Sequence, residues 1–234
     1  MLRGADKMRV TEIFYSLQGE GVLVGTPSVF VRLAGCPFRC RWCDTTYAWD
    51  YSGGEELDTG EIVGRVGQWA CGSVVLTGGE PLMGPDGAVR RGFVDLTSRL
   101  KALGKHITIE TAGAFFVPDL ACDLLSISPK LGNSESPSLH QVAARDLQAL
   151  RRLVAAYPFQ LKFVIESAHD VGEVRALVAQ LPSVDPARVL LMPQARTREQ
   201  LLAKGPMIAE LCKETGFRFC DRLHIFLWGS ERGR

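Results

Sequence analysis

The chain has 234 residues, 46% hydrophobic and 23% charged, an ordinary globular composition that excludes disorder and low-complexity function. Lys and Arg number 27 against 26 Asp and Glu, and this net charge of +1 argues against a broad nucleic-acid surface or a polybasic membrane face. No secretory segment is visible and no apolar run approaches the ~18 residues of a membrane helix, so a cytoplasmic chain with reduced thiols is expected.

Residues 1–8 read as a loose N-terminal tail on a single domain spanning 1–234. Leu17-Gln18-Gly19-Glu20-Gly21 is a flexible acidic loop able to offer backbone groups and one carboxylate; Gly25 and Pro27 break any dinucleotide-binding pattern there. Ser28 to Ala34 is a strand ended by Gly35, Glu61 to Ala70 is helical, and Ser73 to Thr77 is a buried strand stopped by Gly78-Gly79. Arg91 to Leu103 places Phe93, Leu96, Leu100 and Leu103 on one helical face, and Gly104 ends it. Strands follow at His106 to Glu110 and at Leu124 to Ser128, closed by Pro129. The polar loop Asn133 to Ser138 is expected to be mobile. A helix over Val142 to Tyr157 then leads to a strand over Phe159 to Ile165. Asp170 to Leu181 is helical, Arg188 to Met192 a strand, Glu199 to Thr215 a helix, and about 217–227 a last strand. Strand–helix alternation predicts an α/β fold with a parallel sheet and right-handed crossovers. A closed barrel of eight such units needs about 250 residues. Six units in this length are therefore expected to form a partial, open βα barrel, with a doubly wound open sheet as the alternative.

Cys36-Pro-Phe-Arg-Cys40-Arg-Trp-Cys43 follows the first strong strand. Three thiolates on one short loop suit a soft metal centre, and they match three corners of a cubane cluster with its fourth iron open. Structural zinc prefers four ligands in a closed tetrahedron, and would need a distant His106, His140, His169 or His224 to complete it. Cys71, Cys122, Cys212 and Cys220 lie in or beside apolar runs and read as small core residues. Two charged residues stand inside strands. Arg32 must face a carboxylate, either a bound one or that of Glu20 or Asp44; Lys162 must face either a site or a partner.

The cysteine spacing, with an aromatic residue before the third cysteine, resembles the radical S-adenosylmethionine (SAM) superfamily. The resemblance implies that Cys36, Cys40 and Cys43 hold a 4Fe–4S cluster, that SAM binds its open iron, and that reductive cleavage gives a 5′-deoxyadenosyl radical. Thr77-Gly78-Gly79-Glu80-Pro81 looks like that superfamily's motif for the SAM amino group, with Glu80 accepting from an ammonium and the glycines admitting a ligand close to the backbone.

Ile13 to Gly21, Phe30 to Cys36, Cys43-Asp44-Thr45, Ile109 to Gly113, Ile127 to Lys130 and Gln160 to Val164 together resemble the 7-carboxy-7-deazaguanine synthase family, over about residues 9–230. That family is a carbon–nitrogen lyase on the route to queuosine and related 7-deazapurines, converting 6-carboxy-5,6,7,8-tetrahydropterin to 7-carboxy-7-deazaguanine with loss of ammonia. The resemblance implies substrate contacts at Leu17, Gln18, Gly19 and Thr77, with Arg32 gripping the substrate carboxylate. It implies SAM contacts at Trp42, Cys43, Asp44, Gly79, Ser128, Pro129, Lys130, Met192, Pro193, Gln194 and Ala195, and a magnesium ion on Thr45. Asp44 and Glu20 are placed to help proton transfers. A homodimer, and an electron donor such as a flavodoxin, are implied as partners. The basic end, Leu227 to Arg234, departs from the family pattern, and no role is carried over to it. Two rivals stand beside this reading: a radical SAM activase installing a glycyl radical on a protein partner, and a non-enzymatic Fe–S electron carrier or structural zinc protein.

Overall fold

The computed structural model describes residues 7–83, 87–136 and 139–234 of the chain. Its strands are β1 (Met8–Leu17), β2 (Pro27–Leu33), β3 (Glu55–Leu57), β4 (Ser73–Gly78), β5 (His106–Thr111), β6 (Leu124–Ile127), β7 (Phe159–Ile165), β8 (Val189–Pro193) and β9 (Arg218–Phe219). The helices are α1 (Thr59–Val66), α2 (Gly87–Ala102), α3 (Leu139–Ala156), α4 (Asp170–Val178), α5 (Arg198–Thr215) and α6 (Leu223–Trp228). One nine-stranded sheet runs in the order β3-β1-β2-β4-β5-β6-β7-β8-β9, so its edges are different strands and it does not close. From β2 onward every neighbouring pair is parallel, whereas β1 lies antiparallel to both β2 and β3. This is the open, partial barrel that the strand–helix alternation predicts.

Period-two alternation along the strands decides what each face meets. Val29, Val31, Leu33, Val74, Leu76, Ile107, Ile109, Leu125, Ile127, Leu161, Phe163 and Ile165 join one apolar core with Phe93, Leu96 and Leu100 of α2 and Leu150 and Leu153 of α3. The residues between them in the strands face the barrel interior. Local signals set the helix ends: Asp58 and Glu61 form a reciprocal capping box at α1, with bonds of 2.9 and 2.8 Å, and Gly216, at φ +74°, terminates α5.

Four expectations change. Met8 is 1% exposed within β1, so residue 8 belongs to the sheet rather than to a tail; residues 1–6 lie outside the described residues. The β5-to-β6 crossover, residues 112–123, carries no helix, and is anchored instead by buried Ala114, Val117 and Leu120. The segment read as a strand over 217–227 is the two-residue β9 followed by α6, because an apolar run as short as Ile225 to Trp228 fits either period. In the loop Asn133 to Ser138, Ser134 and Ser136 are buried and tied to the cysteine loop, while 137–138 and the side chain of His140 lie outside the described residues. Cys71 and Cys212 sit in the main core and Cys220 among Val164, Leu190 and Met192; all seven thiols are free. Among the described residues, no helix is long and apolar enough to cross a membrane.

Candidate active site

Parallel strands end together, and here their C-terminal ends surround a cavity of about 280 Å³. It brings together nearly all the residues singled out from sequence: Leu17 at the end of β1 and Gln18, Gly19 and Glu20 of the loop after it; Arg32 of β2; Cys36, Cys40, Trp42, Cys43, Asp44 and Thr45 of the cysteine loop; Thr77 of β4 and Gly79 after it; Ser128 and Lys130 after β6; Lys162 of β7; and Met192 and Gln194 at β8. Pro129, Pro193, Ala195 and Glu80 are not part of its wall.

The cysteine loop is held on all sides. Gly35 and Cys36 donate backbone bonds to Ala48 (2.9 Å) and Trp49 (3.2 Å), and Arg41 to Ser134 (2.9 Å). The backbone of Arg39 donates to the Ser136 hydroxyl at 3.0 Å, and the Arg196 guanidinium donates to the carbonyls of Arg41 and Cys43 at 3.2 and 3.1 Å. Phe38, Trp42, Trp49, Ala112, Ala114 and Phe115 pack around the thiols. This apolar setting pushes the Cys36 thiol up to about 12 and raises that of Cys40. Thiols so desolvated would give up their protons on a soft metal rather than in its absence. Among the described residues no three His, Cys, Asp or Glu side chains converge on one ion. The indole N–H of Trp42 is buried with no acceptor among the described residues, and the Lys130 ammonium lies 5.4 Å from the Trp42 ring. An unsatisfied donor and a cation beside the cysteines fit a ligand carrying acceptor atoms and a carboxylate, as SAM does.

Glycines 78 and 79 line the cavity and also serve packing. A Cβ on Gly78 would lie 2.5 Å from the Leu33 carbonyl oxygen, and one on Gly79 would lie 2.2 Å from that of Gly35 and 2.7 Å from Cβ of Cys36. They allow the β4 turn to press against the cysteine loop itself. Glu80 is likewise turned inward: it accepts from the Thr111 hydroxyl (2.6 Å) and from the backbones of Ala112 (2.7 Å) and Leu82 (3.1 Å), and burial raises its carboxyl. It braces the turn from behind the cavity wall.

Across the cavity runs a buried ion network. Burial alone would raise the Glu20 carboxyl, but Lys162 and Arg222 hold it well below the ordinary carboxylate range. Lys162 bonds directly to Glu20 and lies 4.0 Å from Glu110, so it both faces the cavity and has partners. Arg222 donates through Nε to Glu20 at 3.0 Å, and also to Asp44 and to the Ala195 carbonyl. Burial raises and Arg222 more than offsets the Asp44 carboxyl, which stays ionised. Glu110 accepts from the Thr77 hydroxyl (2.9 Å) and the Gln18 amide (3.3 Å). His224, kept neutral by burial, packs against Gly19, where a Cβ would lie 2.1 Å from its Nδ1. Gln160 pins the loop after β1, accepting from Val22 N (2.9 Å) and donating to the Ser126 hydroxyl (2.8 Å).

Arg32 pairs with neither Glu20 nor Asp44. Its Nε donates to Glu12 of β1 at 2.7 Å, because Glu12 is its partner in the antiparallel register, while the other two carboxylates are claimed by Arg222. Glu12, Glu110 and Arg222 are the residues sequence reasoning missed, and His224 figures there only as a distant zinc ligand. Glu110, a charge alternating with Ile107 and Ile109, was the one with a readable signal.

The sequence matches the radical SAM superfamily over residues 30–172. The 7-carboxy-7-deazaguanine synthase of Pyrobaculum aerophilum is 40% identical over 238 aligned positions, covering 100% of both chains. That of Rhodopirellula baltica is 39% identical over 237 positions, covering 97% of this chain and 89% of its own. The crystal structure of QueE from Escherichia coli shares the fold, with a TM-score of 0.68 at 24% identity over 93% of this chain and 95% of that one.

Proposed function

The chain belongs to the radical SAM superfamily and, within it, to the 7-carboxy-7-deazaguanine synthases, and from this premise we infer that it converts 6-carboxy-5,6,7,8-tetrahydropterin to 7-carboxy-7-deazaguanine, releasing ammonia, for queuosine and related 7-deazapurines. The observation that carries the reading is the convergence of the Leu17-to-Glu20 loop, Arg32 and the three cysteines on one cavity in a chain alike from end to end to such synthases. None of the relatives described above is named as an activase, an electron carrier or a zinc protein.

Cys36, Cys40 and Cys43 are the residues to hold the 4Fe–4S cluster, and Trp42, Asp44, Gly79, Ser128, Lys130, Met192 and Gln194 to hold SAM, with Pro129, Pro193 and Ala195 acting only through the course of the backbone. When bound, this pair supplies the 5′-deoxyadenosyl radical. The protein contributes placement and exclusion of water. Arg32, kept cationic and oriented by Glu12, receives the substrate carboxylate; Gln18 and Thr77, both fixed by Glu110, present one edge of the cavity to the pterin, with Leu17 and Gly19 contributing backbone. Glu20 and Asp44 are placed to help proton transfers, although the pairing with Lys162 and Arg222 that keeps them ionised makes them weak acceptors. Thr45 offers its hydroxyl to a magnesium ion. The protein would work in the cytoplasm as a single radical SAM domain, as a homodimer, reduced by a flavodoxin-like donor. Anaerobic incubation with SAM, a reductant, magnesium and the carboxytetrahydropterin is expected to yield a product with the mass of the deazaguanine. An intact cluster with no such product would overturn the reading.

A further inference from the structure

After α6 the chain turns back, and residues 229–234 line the same cavity as the cysteines and Arg32. Among the described residues two tie this tail to the barrel: the Ser230 hydroxyl donates to the Arg196 carbonyl at 3.0 Å, and Arg232 reaches β1. The Arg232 Nε donates to Glu12 Oε2 at 3.0 Å, and its guanidinium lies 4.1 Å from the centroid of the Tyr47 ring. The Tyr47 hydroxyl and the Arg32 Nε both donate to the other oxygen of Glu12, at 2.8 and 2.7 Å. Burial would raise the Glu12 carboxyl, and these donors bring it below its ordinary value.

The arrangement leaves charge over. Arg32, Tyr47 and Arg232 belong to the cavity wall, whereas Glu12 lies behind them. Two guanidiniums therefore share a single carboxylate on the side away from the cavity. Asp44, the next carboxylate felt by Arg32, is already bonded to Arg222, and Glu231 of the tail to Arg234. Both arginines bind Glu12 through Nε, and among the described residues their terminal NH2 groups make no bond. A guanidinium with its fork unoccupied is shaped to take a carboxylate in two parallel bonds. One anionic ligand group would balance two cations against two anions, and would find N–H donors supplied from opposite ends of the chain.

We propose that Arg232 is a specificity-determining residue, the second guanidinium of a carboxylate subsite whose first is Arg32, so that the C-terminal tail closes on substrates carrying a carboxylate. This rests on the proposed pterin carboxylate as the ligand of Arg32. The surplus cation explains why the tail is basic at the position where it meets the cavity, and Glu12 is the residue that holds both guanidiniums in position.

The test uses reconstituted full-length holoenzyme, wild type and R232A, and measures two quantities. One is equilibrium binding, by anaerobic dialysis, of the 6-carboxytetrahydropterin and of tetrahydropterin lacking the carboxylate. The other is kcat and KM, with the release of 5′-deoxyadenosine followed in parallel. R232A is expected to weaken the carboxylated ligand by about tenfold or more and to raise KM accordingly. Binding of the decarboxylated ligand, cluster content and SAM cleavage should stay near wild type. R232K should recover part of the affinity, a point charge replacing part of the fork. Equal weakening of both ligands would overturn the proposal, since the tail would then act by packing alone. Unchanged binding of both would overturn it too, leaving Arg232 a surface partner of Glu12. Failure of the wild type to convert the carboxylated pterin would instead refute the proposed reaction, while the binding comparison would still decide the role of Arg232.

Discussion

On the outer face of the sheet Val31, Leu76, Ile109, Leu125, Leu161 and Phe163 are sealed beneath helices, none more than 0% exposed. On the inner face, one residue along the same strands, stand Arg32, Thr77, Glu110, Ser126, Gln160 and Lys162. Parallel strands covered on both sides by helices read as nearly continuous apolar runs. These strands do not, because their inner face is covered by an ion network and the ligands it surrounds. Backbone register is shared: Arg32 lies beside Thr77, and Glu110, Ser126 and Gln160 form one row. What differs is what each face asks of a substitution. The outer face needs volume; the inner face needs a partner for each charge and, beyond that, chemistry.

The contrast can be broken at several points. Cys40→Ala should abolish turnover and the 4Fe–4S absorption together while leaving the fold intact; a cluster that persists would remove the inner face from the chemistry. Phe163→Ala and Lys162→Ala, adjacent in β7, should each cost about 3–5 kcal/mol in urea unfolding. Only the lysine variant should also lose kcat per bound cluster, because only it takes from Glu20 one of its two cations. Turnover lost equally by both would erase the distinction between the faces. Gly79→Ala, which drives a Cβ into the cysteine loop, should cost about 1–3 kcal/mol and reduce iron incorporation. Gly64→Ala in α1, with nothing within 4 Å of the new Cβ, should instead stabilise by about 0.5–1 kcal/mol.

The smallest effect is an absence of slope. Glu20 is depressed below 4.5, so its contribution is complete above that value and is lost only as pH falls through the folded-state pKa. Lys162 is raised above 10.5, so its contribution is complete below that value and is lost as pH rises through its own folded-state pKa. The stability difference between wild type and Lys162→Ala should therefore stay flat from about pH 5 to about pH 10. A difference that declines near neutrality would mean that the pair titrates within the working range.

Sequence made one half of this contrast readable and part of the other. The apolar periods of the strands and of α2 gave the sheet and its outer layer, and charges inside strands, Arg32 and Lys162, marked the inner face. The spacing of Cys36, Cys40 and Cys43 located the chemistry. Hidden were contacts that depend on the closed fold: Arg222 stands 202 residues from Glu20, and no local pattern announces such a partner. Glu80 looked like a ligand residue because its motif resembles one for the SAM amino group, yet Leu82 of its own turn and Thr111 and Ala112 at the end of β5 donate to it. The β5-to-β6 crossover departs from the general strand–helix alternation, and its buried Ala114, Val117 and Leu120 do the covering that a helix does elsewhere.

A closed barrel is sealed by a ladder of backbone hydrogen bonds that cannot part without pulling strands from each other. Here the seam between the loop after β1 and the segment after β9 is stitched largely by side chains: Arg222 to Glu20, Gly21 N to the Cys220 sulfur at 3.1 Å, and a single backbone bond from Leu223 to Gly19 at 2.8 Å. Opening such a seam takes rotations about side-chain bonds, motions far faster than the separation of strands. Between these two segments the barrel therefore holds together by a few ion pairs and one backbone bond, where a closed barrel would have a ladder.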